Sequence, residues 1–177
     1  MPIPLAYLIT FTCYGTRLRG DESGSVDRKH NPPGTPLIPP RPSWIRADAT
    51  KMKEQPYQLT WPRRAVVLQA MQEVCAHRGW TLLAAHVRSN HVHFVVIADE
   101  RPERVLNDVK AYASRALSRS GLENGSLKRW THHGSTRYLW KPEQVAAAIE
   151  YVVWGQGEPM AVWRKQGETW EERSDTG

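Results

Sequence analysis

Apolar positions along the chain alternate between two periods, and the changes of period mark out the elements. Residues 5–14 are rich in aromatic and β-branched side chains and predict a first strand, closed by Tyr14-Gly15. The pattern then disappears. Between residues 15 and 58, Gly20, Gly24, Gly34 and seven prolines from Pro32 to Pro56 exclude a packed helix and disfavour a continuous strand. Periodicity returns at Thr60-Trp61-Pro62, which predicts a helix with Thr60 as N-cap and Pro62 in the first turn. Val66, Val67, Ala70, Met71, Val74 and Cys75 form its apolar stripe, and Gly79 ends it.

Residues 80–87 read as a second strand. Arg88-Ser89-Asn90 is a polar turn, and residues 89–97 (Ser-Asn-His-Val-His-Phe-Val-Val-Ile) read as a third strand, so the two form an antiparallel hairpin. The third strand is apolar or His at nearly every position, as expected of a central strand covered on both faces. A second helix spans residues 101–118, with Leu106, Val109, Ala113, Ala116 and Leu117 inward and Arg104, Lys110, Arg115 and Arg119 at exposed positions. After a loop at 121–126, the end of residues 130–140 predicts a further strand. Lys141-Pro142-Glu143 then opens a last helix with the stripe Val145, Ile149 and Val152, ending near Gly155. Residues 156–177 are polar with scattered Met160, Val162 and Trp163.

Strand, helix, hairpin, helix, strand, helix is the order of an α+β, RRM-like (ferredoxin-like, split βαβ) antiparallel sheet with a helix added at the end. The first and third strands are central in that topology. The expected organisation is one domain over residues 1–158, carrying a basic, proline-rich insertion at 15–58, and a polar tail at 159–177.

The net charge of +6 and a pI of about 9.5 favour an anionic partner, nucleic acid being the commonest; simple solubility is the competing explanation. Arg17, Arg19, Arg28, Lys29, Arg41 and Arg46 make the insertion a candidate nucleic-acid flap or a solvated excursion. Cys13 and Cys75 form no disulfide framework and read as reduced thiols. No apolar run approaches 18 residues and no leader pattern is visible, so the expectation is a cytoplasmic protein with no membrane contact.

The chemistry concentrates on the third strand. His91 and His93 stand at i and i+2, so both project from one face, with Cα atoms roughly 7 Å apart. Such a pair can hold one metal ion from a rigid platform. The tripeptide alone is a weak motif, and its place in a hydrophobic strand is what gives it weight. A metal held by imidazoles serves as a Lewis acid on phosphoryl oxygen. Gly-x-Ser-x-Gly, His-Glu-x-x-His, a phosphate-cradling glycine loop and an acidic two-metal cluster are all absent, so a nucleophile has to come from elsewhere. Tyr151, at the edge of the last helix's stripe, could reach the His face, although a Tyr there is more often core. Gln156, just past that helix, could offer an amide oxygen as a third metal ligand or be an ordinary surface residue.

Taken together, Asn90-His91-Val92-His93, the helix carrying Lys110-Ala111-Tyr112-Ala113-Ser114-Arg115, and the terminal helix bearing Tyr151 resemble the single-tyrosine HUH transposases. These include the transposases of small insertion sequences and the REP-associated tyrosine transposases. The resemblance spans residues 1–14 and 60–158. It implies one divalent ion, Mg²⁺ or Mn²⁺, bound by His91 and His93 and polarising a scissile phosphate. Tyr151 would attack single-stranded DNA to give a 5′-phosphotyrosine and a free 3′-OH, and a 3′-OH would reverse the step without ATP. DNA hairpins would be the recognition element, with Lys110, Arg115 and Arg88 as DNA contacts. Some relatives are dimers in which the Tyr helix completes the partner's site and others act as monomers, so a homodimer is within the expectation.

In many members a Gln or Asn lies four residues after the Tyr. Here that position is Gly155 and Gln156 follows it, with His132, His133 and Glu150 as other candidate ligands. Tyr112 and Tyr138 are rival nucleophiles, and a packing role is expected for Tyr112. A different reading of the same residues is a non-catalytic protein that uses the sheet, basic helix and tryptophans only to bind nucleic-acid hairpins.

Overall fold

A computed structural model of the chain describes residues 2–16, 55–124 and 127–167. Almost all of the proline-rich stretch, with its six named cations, lies outside the described residues, as does the end of the tail.

Five strands and three helices follow one another as β1 (Ala6–Thr12), α1 (Trp61–Arg78), β2 (Thr81–Val87), β3 (His91–Ile97), α2 (Pro102–Arg119), β4 (Ser135–Leu139), α3 (Pro142–Trp154) and β5 (Ala161–Arg164). The sheet order is β4-β1-β3-β2-β5, and every pairing is antiparallel. The split βαβ arrangement expected from the sequence is therefore present, with the His strand in the middle of the sheet. Thr60 precedes α1 as predicted but makes no side-chain cap bond; Gly79 ends that helix with φ 74°, a left-handed conformation that glycine adopts without steric cost.

Alternation along β1 and β3 sorts the side chains into two cores. Ile9, Phe11, Val92, Phe94 and Val96 pack under α1 and α2, with Val67, Met71, Val74, Val105, Val109 and Leu117. On the other face Ala6, Val95, Leu83, Ala84 and Leu139 pack under α3, through Val145, Ala148, Ile149 and Val152. The first core is the larger because two helices roof it; the second has one helix and covers only part of its face.

One sequence expectation is corrected. Residues 161–164, assigned to the polar tail, form β5 and extend the sheet beyond residue 158, with Ala84, Ala85, His86 and Val87 opposite Arg164, Trp163, Val162 and Ala161. Four residues are too few to show a period of two against polar neighbours, and it is the open edge of β2 that orders them.

The link before β4 is drawn tightly onto β1. Thr131 N–H donates to Thr12 O, the Thr12 and Thr131 hydroxyls lie 2.7 Å apart, and a Cβ at Gly134 would sit 2.5 Å from Thr10 O. Only glycine allows that approach. Gly134→Ala is therefore expected to lower stability by about 1–3 kcal/mol, measured by urea denaturation; an unchanged midpoint would show that the link can retreat from β1 at no cost.

Candidate active site

The register of the central strands assembles the site. His93 lies opposite Thr10 on β1 and His86 on β2; Thr10 in turn lies opposite Ser135, and His86 opposite Val162. One row across the sheet thus reads Ser135, Thr10, His93, His86, Val162, all on the α3 face. His91 stands two residues before His93 on that face, opposite Thr12. The apolar side chains of α3 cover the Val95 level of this face, and the polar row begins where that cover ends.

Each histidine has its own environment. His93 is 1 % exposed, and its Nε2 is buried with no hydrogen-bond partner among the described residues. Burial, reinforced by His91, His86 and Arg88, pushes its pKa down to about 3, so the ring is neutral at any ordinary pH. The half-buried His91 holds Nδ1 2.7 Å from Asn90 Oδ1. An amide oxygen only accepts, so Nδ1–H donates to it, and in the neutral ring Nε2 is then the ligating position. The turn bearing Asn90 is itself fixed: Asn90 O accepts from Cys13 N–H and the Thr16 hydroxyl, and Ser89 O from Leu59 N–H. The two rings lie 5.2 Å apart at their centroids, nearly perpendicular. Two imidazoles on one rigid strand, one held by a neighbour's amide oxygen and the other neutral with a buried nitrogen that has no described partner, make a donor set that suits a divalent cation.

Tyr151 projects from the last turn of α3 onto His93. Its ring is 5.6 Å from that of His93, edge-on at 72°, while 46 % of the residue stays exposed. A phenol beside a buried imidazole yet open to solvent can meet a bulky substrate. The rival tyrosines lie elsewhere. Tyr112 packs against the core under α1 and α2, near His77 and beneath Arg115; Tyr138 on β4 packs edge-on against Tyr7 and stacks with Trp140.

The other predicted site residues are distributed as follows. Gly155 N–H caps Tyr151 O, and a Cβ at Gly155 would lie 2.8 Å from that oxygen and 2.9 Å from the Tyr151 ring. A side chain four residues after the tyrosine would press on the ring itself, a physical reason for glycine there. Gln156, one residue on and half-buried, donates its amide N–H to Gly155 O at 3.3 Å. Glu150 pairs with Arg164 on β5, and His132 and His133 are exposed with rings 3.8 Å apart. No group of three or more His, Cys, Asp or Glu that could hold a metal ion occurs among the described residues. Arg88 lies on the site side, its guanidinium donating to Glu158 O and 3.4 Å from His86 Nε2. Lys110 differs from the expectation of an exposed cation. Its ammonium donates to Thr131 O and His133 O, lies over the Phe11 ring, and has its pKa lowered by burial. Its first task is to hold the link before β4. Arg115 belongs to the same helix, across the sheet from the His pair.

Sequence reasoning passed over His86. It is fully buried; its Nδ1 donates to Val152 O (2.9 Å) and its Nε2 accepts from Met160 N–H (3.0 Å). Its position was deducible: a hairpin turning at Ser89-Asn90 pairs 88 with 91, 87 with 92 and 86 with 93.

The depressed pKa of His93 carries a stability signature. Below its unfolded value of 6.5 the unfolded chain binds a proton that the folded chain refuses, down to about 3. Stability therefore falls as pH drops through that window, and His86, also lowered chiefly by burial, acts with the same sign. Denaturant titrations in chelator from pH 7 to 4 should show this loss, with a shallower slope for His93→Gln; equal slopes would mean that His93 titrates normally.

Comparison with known proteins places these residues in context. A family model described as "Transposase IS200 like" matches residues 49–150, a span that holds the His strand and stops one residue before Tyr151. A solved structure of a REP-associated tyrosine transposase bound to a REP hairpin is similar at 11 % identity and a TM-score of 0.47, covering 86 % of this chain and 67 % of that one. No curated protein matches the sequence.

Proposed function

The chain belongs to the IS200-like transposase family, and on that premise we propose that it cuts and rejoins single-stranded DNA through a covalent tyrosine intermediate, with folded hairpins as its recognition element. The observation that carries this reading is the contact between the exposed Tyr151 and the buried His93, whose Nε2 has no described partner.

The residues divide the work. The Tyr151 oxygen attacks phosphorus; the P–O3′ bond breaks; the chain holds the 5′-phosphate as a phosphotyrosine and the leaving 3′-oxygen takes up a proton, the phenol having lost one. Attack by a 3′-OH on the phosphotyrosine runs the same step backwards and frees the phenol. One phosphodiester is exchanged for another bond of similar energy, so no nucleotide cofactor is needed. His91 and His93 would hold Mg²⁺ or Mn²⁺, which when bound supplies Lewis-acid polarisation of a phosphoryl oxygen. Asn90 orients His91 for this task by accepting a hydrogen bond from its Nδ1–H. Thr10 and Thr12 stand opposite His93 and His91 on the adjacent strand, with Ser135 one strand further out, and Arg88 adds positive charge at the rim. The +6 net charge draws the DNA backbone to the protein. Gln156 stays a candidate third ligand, one residue beyond the helix cap.

The test is direct. Incubation with single-stranded hairpin oligonucleotides and Mn²⁺ or Mg²⁺ should give a protein–DNA adduct that survives a denaturing gel. Tyr151→Phe should abolish it, and His91→Ala should leave little. An adduct in Tyr151→Phe would transfer the nucleophile's role to another residue, and cleavage without adduct would point to a hydrolytic phosphoesterase. Hairpin binding with neither cleavage nor adduct would support the non-catalytic alternative.

A further inference from the structure

The last four carbonyls of a helix have no partner within it. In α3 these belong to residues 151–154. Tyr151 O is taken by Gly155 N–H, and the next, Val152 O, is taken from outside the helix by His86 Nδ1–H. The same imidazole accepts Met160 N–H at Nε2, which holds the segment returning toward β5. A carbonyl can only accept and an amide N–H can only donate, so the two bonds fix one tautomer of a neutral ring. That ring also lies 5.7 Å from the His93 ring, directly across the hairpin.

His86 therefore touches both halves of the site at once. Its ring packs beside the histidine that faces the phosphate position, and its nitrogens grip the backbone immediately after the tyrosine and the backbone that follows the helix. It is wholly buried and sits on the same strand pair as the His platform, so its position is fixed to that of His93. The apolar stripe of α3 fixes the roll of the helix on the sheet, but apolar contacts are non-directional and leave its last turn free to slide or fray. Two directional bonds from one side chain remove that freedom.

We propose that His86 is a positioning residue, a lateral cap of α3 that sets the distance between Tyr151 and His93. The role rests on the assignment of Tyr151 as nucleophile, and the bonds that define it are testable without DNA. A reaction that depends on near-attack geometry loses about a hundredfold for a displacement of about 1 Å.

The test uses the full chain. In the wild type, ¹⁵N shifts of the His86 ring should report a protonated Nδ1 and an acceptor Nε2; the opposite tautomer or an imidazolium at pH 7 would overturn the proposal. The ring-to-ring nuclear Overhauser effect between His93 and Tyr151 should disappear in His86→Ala, while that between His91 and His93 persists. Hydrogen exchange should speed up in residues 150–160 with α1 and α2 unaffected. His86→Asn, whose amide can replace Nδ1–H toward Val152, should restore the His93–Tyr151 contact. Retention of that contact in His86→Ala, or an exchange increase spread over the whole chain, would reduce His86 to a packing residue. With hairpin oligonucleotides and Mn²⁺, adduct formation should fall about a hundredfold in His86→Ala at unchanged DNA affinity and recover in His86→Asn. A wild type that forms no adduct would overturn the transferase reading, and the spectroscopic results would still decide the clamp.

Discussion

The site turns on a buried imidazole nitrogen, His93 Nε2, with no hydrogen-bond partner among the described residues. A polar atom in that state costs free energy unless something outside the chain engages it. His93 occupies the middle strand of a five-stranded sheet, where the chain has least freedom to move it toward water. The surroundings favour its neutral form, since burial first, and then His91, His86 and Arg88, oppose a proton there. The result is a ring that keeps its lone pair at ordinary pH, beside a phenol that remains open to solvent.

The two faces of the sheet share the labour unequally. The face under α1 and α2 holds the larger core and the tighter polar anchors. There Glu123 accepts from the Tyr57 hydroxyl and pairs with Arg129 and Arg63, tying the segment before α1 to the one before β4. Lys110 belongs to the same scaffolding, as the two carbonyls it binds show. The face under α3 is apolar only as far as Val95 and turns polar at the row from Ser135 to His86. The stable side thus fixes the strand positions, and the half-covered side uses that rigidity to present chemistry.

Most of this arrangement was legible in the sequence because it follows from period. A strand read from residues 89–97 gives the shared face of His91 and His93, the order of elements gives the central strand, and Pro142 with Gly155 brackets the tyrosine helix. What was missed has identifiable physical causes. Residues 161–164 are ordered by pairing with β2, which four residues set among polar neighbours do not announce. Lys110 looked solvent-facing because helical spacing does not show what a neighbouring link folds over it. His86 was hidden for a different reason. One histidine in an apolar strand carries no spacing signal, and its meaning comes from hairpin register together with a helix carbonyl far along the chain. The glycine at 155, seen from sequence as a missing ligand, is explained by the space that the tyrosine ring itself takes up.

The attachment of α3 constrains the strand exchange proposed above. The helix leaves β4 through residues 140–141 and returns to β5 through residues 155–160, and both strands belong to the one sheet. A segment sewn in at both ends has no slack for a swinging motion. The travel of the Tyr151 oxygen is thus set by its own side-chain torsions. If the chain breaks and rejoins strands as proposed, any larger movement between the two steps would belong to the nucleic acid, whose released end would come to the tyrosine.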